Sequence, residues 1–268
     1  MKRTLWFISV SLILVSLLIV YKPDRTELDL RDLVLAACEA EDKMFEMRVS
    51  FFVDSKVDVH FLNKKVNDYI AYSNLVLTNS CIPIHRSLNS IDNVTLNLLG
   101  GEFFDEIHNL LKVNAGNGTI EKLRSDPRDL YVLILSKNHW IFDDGVMGAT
   151  NVEFNDSFVI LSEDAEPYIL EHEFGHLAWA QHLETFPFPL LEGKIKRSTS
   201  IKNRHKIKSY ARAYKCANAG TIMSYEDIRL PIYSSPLISY KGKMCGDDNV
   251  GNNLKVVKEY ALELINKN

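Results

Sequence analysis

The chain has 268 residues, 46% of them hydrophobic and 25% charged, with a formal net charge of −4 and a pI near 6.1. That length suits one large domain, or two small ones sharing a cleft. The weak negative charge excludes the basic footprint of a nucleic-acid-binding protein, so no nucleic-acid partner is expected.

In chain order, "MKR" precedes an apolar run from Thr4 to Tyr21. Residues 1–21 read as a signal anchor or a signal peptide. The run ends in bulky residues without a small-x-small cleavage pattern, which favours the anchor, and Lys2 and Arg3 favour a cytoplasmic N-terminus. Either way the rest of the chain is exported. It is a single-pass membrane protein with its main domain outside the cytoplasm, or a secreted one if the segment is cleaved. Residues 22–45 read as a stalk, with helical spacing over "LRDLVLAACEAEDKMF". Cys38, Cys81, Cys216 and Cys245 are an even set in an exported chain. Two disulfides are expected, with Cys38–Cys81 and Cys216–Cys245 preferred among three connectivities.

From residue 46 strands and helices alternate. "MRVSFFVD" reads as a strand, "VHFLNKKVNDYIAYSNLVL" as a helix and "CIPIHRSLNSI" as a strand. "FFDEIHNLLKV" is helical and "NAGNG" breaks it. "DLYVLILSKN" is a buried-strand run. "GVMGATNVEF" and "SFVILSED" are two more strands around the turn residues "NDS". A helix begins near Glu166 and Pro167, with Asp164 as its expected N-cap. After His182 the chain turns irregular, with nine Lys or Arg and no acid between Lys194 and Lys215. This reads as a solvated loop, or as a contact to anionic lipid or an acidic substrate. "NNLKVVKEYALELINKN" closes the chain as an amphipathic helix. The expected fold is therefore α/β (α+β), an ordered sheet-containing part at 46–182 followed by an irregular part at 183–268. A cleft between them is the natural place for a site.

The chemistry lies in "HEFGHLAWAQH", His172 to His182. His172 and His176 are four apart and project from one helical face, where both imidazoles can reach one Zn²⁺. Glu173 points beside that metal, placed to move a proton between water and a leaving amine. The remaining histidines, His60, His85, His108, His139 and His205, have no metal spacing. About forty residues downstream "TIMSY" follows, with Met223 and Tyr225. Together these motifs resemble a metzincin zinc endopeptidase of the bacterial reprolysin-like or serralysin-like group. The likeness covers residues 130–253 well, including "LPIYSSPLISYKGKMCGDDNVGNN".

The resemblance implies a zincin-like twisted mixed sheet and a monomeric enzyme that hydrolyses protein or peptide substrates. It implies that His172, His176 and His182 bind zinc, that Glu173 is general base and then acid, and that Met223 floors the metal. Tyr225 would be a further catalytic residue. An edge strand near "GVMGATNV" would pair with extended substrate. Two positions depart from the family: Leu183 stands where many members carry an acid, and Trp179 stands where a glycine allows a sharp, left-handed turn. The turn then sits at Trp179, Ala180 or Gln181, and otherwise an unbroken helix carries His182 away from the metal. In that case Glu184 or Glu192 would complete a two-histidine site. Trp179 also motivates the alternative function, a catalytically silent, membrane-anchored binding module on the same scaffold.

Overall fold

A computed structural model describes residues 30–38, 44–58, 60, 62–116, 118–183 and 199–267. Asp32–Asn268 forms one compact unit, distinct from Met1–Arg31. The expected N-terminal anchor and the candidate carboxylates Glu184 and Glu192 lie outside the described residues. Among the described residues, no helix is long and apolar enough to cross a membrane.

The fold is mixed α/β. Its main sheet has five strands in the order β3-β2-β4-β6-β5: β2 Phe45–Asp54, β3 Ile84–Val94, β4 Asp129–Leu135, β5 Gly148–Thr150 and β6 Phe158–Ser162. All neighbours are parallel except β5, which pairs antiparallel with β6 through Ala149 and Ile160. Side chains alternate across a strand, and both faces of this sheet are covered. Val49, Phe51, Val132, Ile134, Val159 and Leu161 face one core, shared with helices α1 Leu62–Asn79, α4 Pro167–Leu177 and α5 Asn253–Lys267. Phe52, Tyr131, Leu133, Phe158 and Ile160 face a second core under α2 Phe104–Asn114 and α3 Thr119–Ser125. Burial on both sides explains why "DLYVLIL" is a continuous apolar run.

Three local expectations are corrected. Among the described residues, helical spacing in 30–45 does not give an α-helix: Leu30–Asp32 is a single 3-10 turn and Leu33–Val34 is a strand, β1, paired antiparallel with β9 Ser235–Tyr240. Cys38 is bonded to Cys81, two residues beyond α1, so this end of the expected stalk belongs to the compact unit. Tertiary pairing and the covalent strap override a local helical periodicity. The strand expected over 145–154 shortens to Gly148–Thr150, because Asn151 caps a turn through the backbone N–H groups of Glu153 and Phe154. The N-cap of α4 is Glu166 rather than Asp164, with Pro167 as the first helical residue and no side-chain cap bond.

Among the described residues after His182, short strands lie between a 3-10 helix at Ile201–Lys206 and α5. β9 pairs with β10 Lys243–Cys245, and β7 Lys215–Cys216 pairs with β8 Ala219–Gly220. Cys216–Cys245 ties these two sheets together.

Candidate metal centre

Helix α4 brings His172, Glu173 and His176 to the cleft, and it stops at Leu177. The stop is a Schellman motif. The N–H of Ala180 donates to Gly175 O at 2.9 Å and that of Trp179 to His176 O at 2.9 Å. Such a cap needs a left-handed residue at the position Trp179 occupies, and Trp179 has φ 67°. The chain therefore turns at the tryptophan itself, not at Ala180 or Gln181. Gln181 is then pinned by backbone bonds to both Ala211 and Ala213, at 2.9 and 2.8 Å.

The turn delivers His182. Its Nε2 lies 3.0 Å from His172 Nε2 and 2.9 Å from His176 Nε2. A tetrahedral zinc ion with bonds of about 2.0–2.1 Å has ligand–ligand edges of about 3.3 Å, so one ion reaches all three. Two of the rings are oriented by carbonyls. His172 Nδ1 is 3.0 Å from Ile222 O, and His176 Nδ1 is 2.9 Å from Ala180 O. A carbonyl only accepts, so each Nδ1 carries the hydrogen and each Nε2 presents a lone pair inward. Burial lowers the histidines to about 3, 4 and 2 for His172, His176 and His182; for His172 and His182 neighbouring imidazoles add to the effect. Neutral rings with converging lone pairs are a donor set that fits a cation. Among the described residues, this is the group of acidic or sulfur- and nitrogen-bearing side chains that could hold a metal.

Glu173 follows the first histidine and is buried at 6% exposure. Burial alone raises its carboxyl to about 8; a divalent cation beside it would oppose that rise. It shares a cavity of about 490 Å³ with His172, His176 and His182. Across the cavity stands Gly148 of β5. A Cβ there would fall 2.8 Å from Glu173 Cγ and 2.7 Å from Ile169 Cγ2, so only glycine leaves the carboxylate its place.

Met223 is fully buried beneath α4. Gly175 meets it so closely that an added Cβ would lie 2.5 Å from its sulfur. Tyr225 is 68% exposed at the cleft mouth. Its phenol oxygen is 2.7 Å from His182 Nδ1 and 3.1 Å from His182 Nε2. Thus the structure brings His172, Glu173, His176, His182 and Tyr225 to one cleft, with Met223 below the helix that carries three of them.

Sequence reading missed several contributors. The carbonyls of Ala180 and Ile222 have no side-chain signature. Gly148 and Arg229, which line the cleft, lie outside any motif. Behind α4, Glu171 is wholly buried with Arg86, whose Nε and Nη2 reach the carboxylate at 2.8 and 3.1 Å. Tyr233 donates to Glu171 at 2.7 Å and Ser73 bonds the same carboxylate. A glutamate between apolar residues in "PYILEHEFGHL" was the available signal.

No family model and no curated protein matches the chain. Among solved structures, a chaperone-substrate complex aligns over 84% of this chain and 35% of that one, at 12% identity and TM-score 0.60. This chain thus spans about a third of that neighbour's length, and the likeness is one of fold. Metalloproteinase-II from Bacteroides fragilis aligns over 57% of this chain and 49% of that one, at 15% identity and TM-score 0.37. A zinc-dependent peptidase from Methanocorpusculum labreanum aligns over 51% of this chain and 84% of that one, at 14% identity and TM-score 0.28.

Proposed function

We propose that this chain is an exported zinc-dependent endopeptidase of the metzincin kind, with a zincin-like fold, held at the membrane by its N-terminal segment. The observation that carries this reading is the convergence of three imidazole Nε2 atoms, at 2.9 and 3.0 Å from His182, beside a buried glutamate on the same helix. Two disulfides suit an oxidising compartment.

A zinc ion held by His172, His176 and His182 supplies Lewis acidity. Glu173 takes the proton of the attacking water and passes it to the departing amine. Tyr225 donates a hydrogen bond to the oxygen on which charge develops. The outer edge of β5 offers backbone N–H and C=O groups to an extended peptide, a pairing that is itself indifferent to side chains and leaves selection to the pockets. Trp179, the residue that favoured a silent module, sits in the turn and does not displace His182.

The test uses the full chain supplied with zinc. The expected result is one zinc per chain and cleavage of an unfolded protein, slowed about a thousandfold in Glu173→Ala with zinc retained. Absence of stoichiometric zinc, or equal rates in the two proteins, ends the reading.

A further inference from the structure

The cleft has one wall that peptide hydrolysis leaves unused. Arg229 stands there, in the same cavity as Glu173 and the three histidines. Its guanidinium lies 4.5 Å from the centre of the Tyr168 ring, and its Nε donates to Ser224 O at 3.2 Å. These contacts fix the group and occupy one of its five N–H donors. Three arginines of this fold pair with carboxylates: Arg48 with Asp126 and Asp129, Arg86 with Glu171, Arg128 with Asp126. Among the described residues Arg229 contacts the Ser224 carbonyl and the Tyr168 ring and no carboxylate.

The surroundings add to its field. Tyr168 and Ile169, in the first turn of α4, line the same cavity, and a helix N-terminus favours negative charge. Among the described lining residues, Glu173 is the one carboxylate, and it serves proton transfer. A planar fork of donors in the cavity shared with Glu173 and the three histidines matches a carboxylate in charge and shape.

We infer that Arg229 makes this cleft select peptides with an acidic side chain beside the scissile bond. The inference rests on the peptidase reading for its cleavage arm and is independent of it for its binding arm. An aspartate or glutamate in the cavity accepts hydrogen bonds from the free guanidinium nitrogens. A glutamine or leucine there forgoes the charge, and a lysine meets repulsion.

In the cleavage arm, the zinc-supplied full chain digests an unfolded protein and the new termini are mapped by mass spectrometry. Acidic residues are expected about tenfold enriched at one position flanking the cut. Arg229→Gln loses the enrichment, Arg229→Lys keeps most of it, and Arg229→Glu shifts it towards basic residues. In the binding arm, Glu173→Ala protein is titrated with C-terminally amidated peptides that differ only in Glu or Gln. The amidated ends remove the chain-terminal carboxylate as the recognised group. The Glu peptide is expected to bind about tenfold tighter, with the difference lost when Arg229→Gln is added and reduced by salt. Thermal melting of each variant checks its folding, and Arg229→Lys provides the rescue. Cleavage without acidic enrichment, or equal binding of the two peptides, overturns the inference. Selective binding in a chain that cleaves nothing upholds it and ends the peptidase reading instead.

Discussion

Trp179 holds a backbone conformation, φ 67°, that costs a bulky L-residue on the order of 1–3 kcal/mol. Two capping bonds, at 2.9 Å each, make the turn close there, and Lys206 Nζ stands 5.5 Å from the indole centre. The turn serves the site twice, since it delivers His182 and points the Ala180 carbonyl at His176. Trp179→Gly should therefore keep the zinc and relieve the strain, whereas Trp179→Val, branched next to the backbone, should loosen the turn and weaken zinc binding. Competition with a chelator reads both: the glycine variant holds zinc at least as tightly as wild type, and the valine variant releases it at about tenfold lower chelator concentration. Residue by residue, the three histidines, Glu173 and Tyr225 were legible, because helical spacing and the "TIMSY" stretch announce them, whereas Arg229 was not. The location of the turn was not, since three neighbouring residues could each have broken the helix. The carbonyls that orient the rings were hidden for another reason: every residue carries one.

Helix α4 has two chemically different sides. One carries the candidate ligands, and the other is anchored by the wholly buried Glu171 to Arg86 of β3. The Arg86 guanidinium also lies 4.3 Å from the Phe174 ring centre, so the pair fixes the helix along and about its axis. Arg86→Met removes one partner and leaves a buried carboxylate without its cation. A loss of about 3–5 kcal/mol is expected by urea denaturation, while Arg86→Met combined with Glu171→Gln should recover much of it. Zinc binding by the double variant then tells how far this anchor positions the histidines. At this scale the strands of the main sheet were legible from alternation and from the apolar run of β4. The first strand was not, because Leu33–Val34 owes its conformation to β9, two hundred residues away in the chain.

The two cores of the molecule differ in polarity. The one holding α2 encloses His108, at 2% exposure, bonded to Tyr131 at 2.7 Å and to Asn155 at 3.0 Å, with its Nδ1 unpartnered. Burial, aided by nearby Arg124 and Lys112, lowers it from 6.5 to about 4. The folded chain keeps this ring neutral where the unfolded chain protonates it. Stability therefore falls as pH drops below 6.5 and levels off below about 4, by about 3 kcal/mol in all. Urea unfolding of wild type and His108→Gln at pH 7.5 and 4.5 measures this, and the variant should show the smaller difference between the two pH values. Whole-molecule organisation was legible as a mixed α/β fold. The bonds that join its parts were not, since they run between segments far apart in sequence. One such bond has a temporal consequence. The carbonyl that orients His172 belongs to Ile222, fifty residues downstream, while the one for His176 comes from its own turn. A chain emerging from the ribosome thus displays the histidines long before it can orient the first of them. On the peptidase reading proposed above, hydrolytic competence would arrive only once the segment around Ile222 has docked, which would spare the nascent polypeptide.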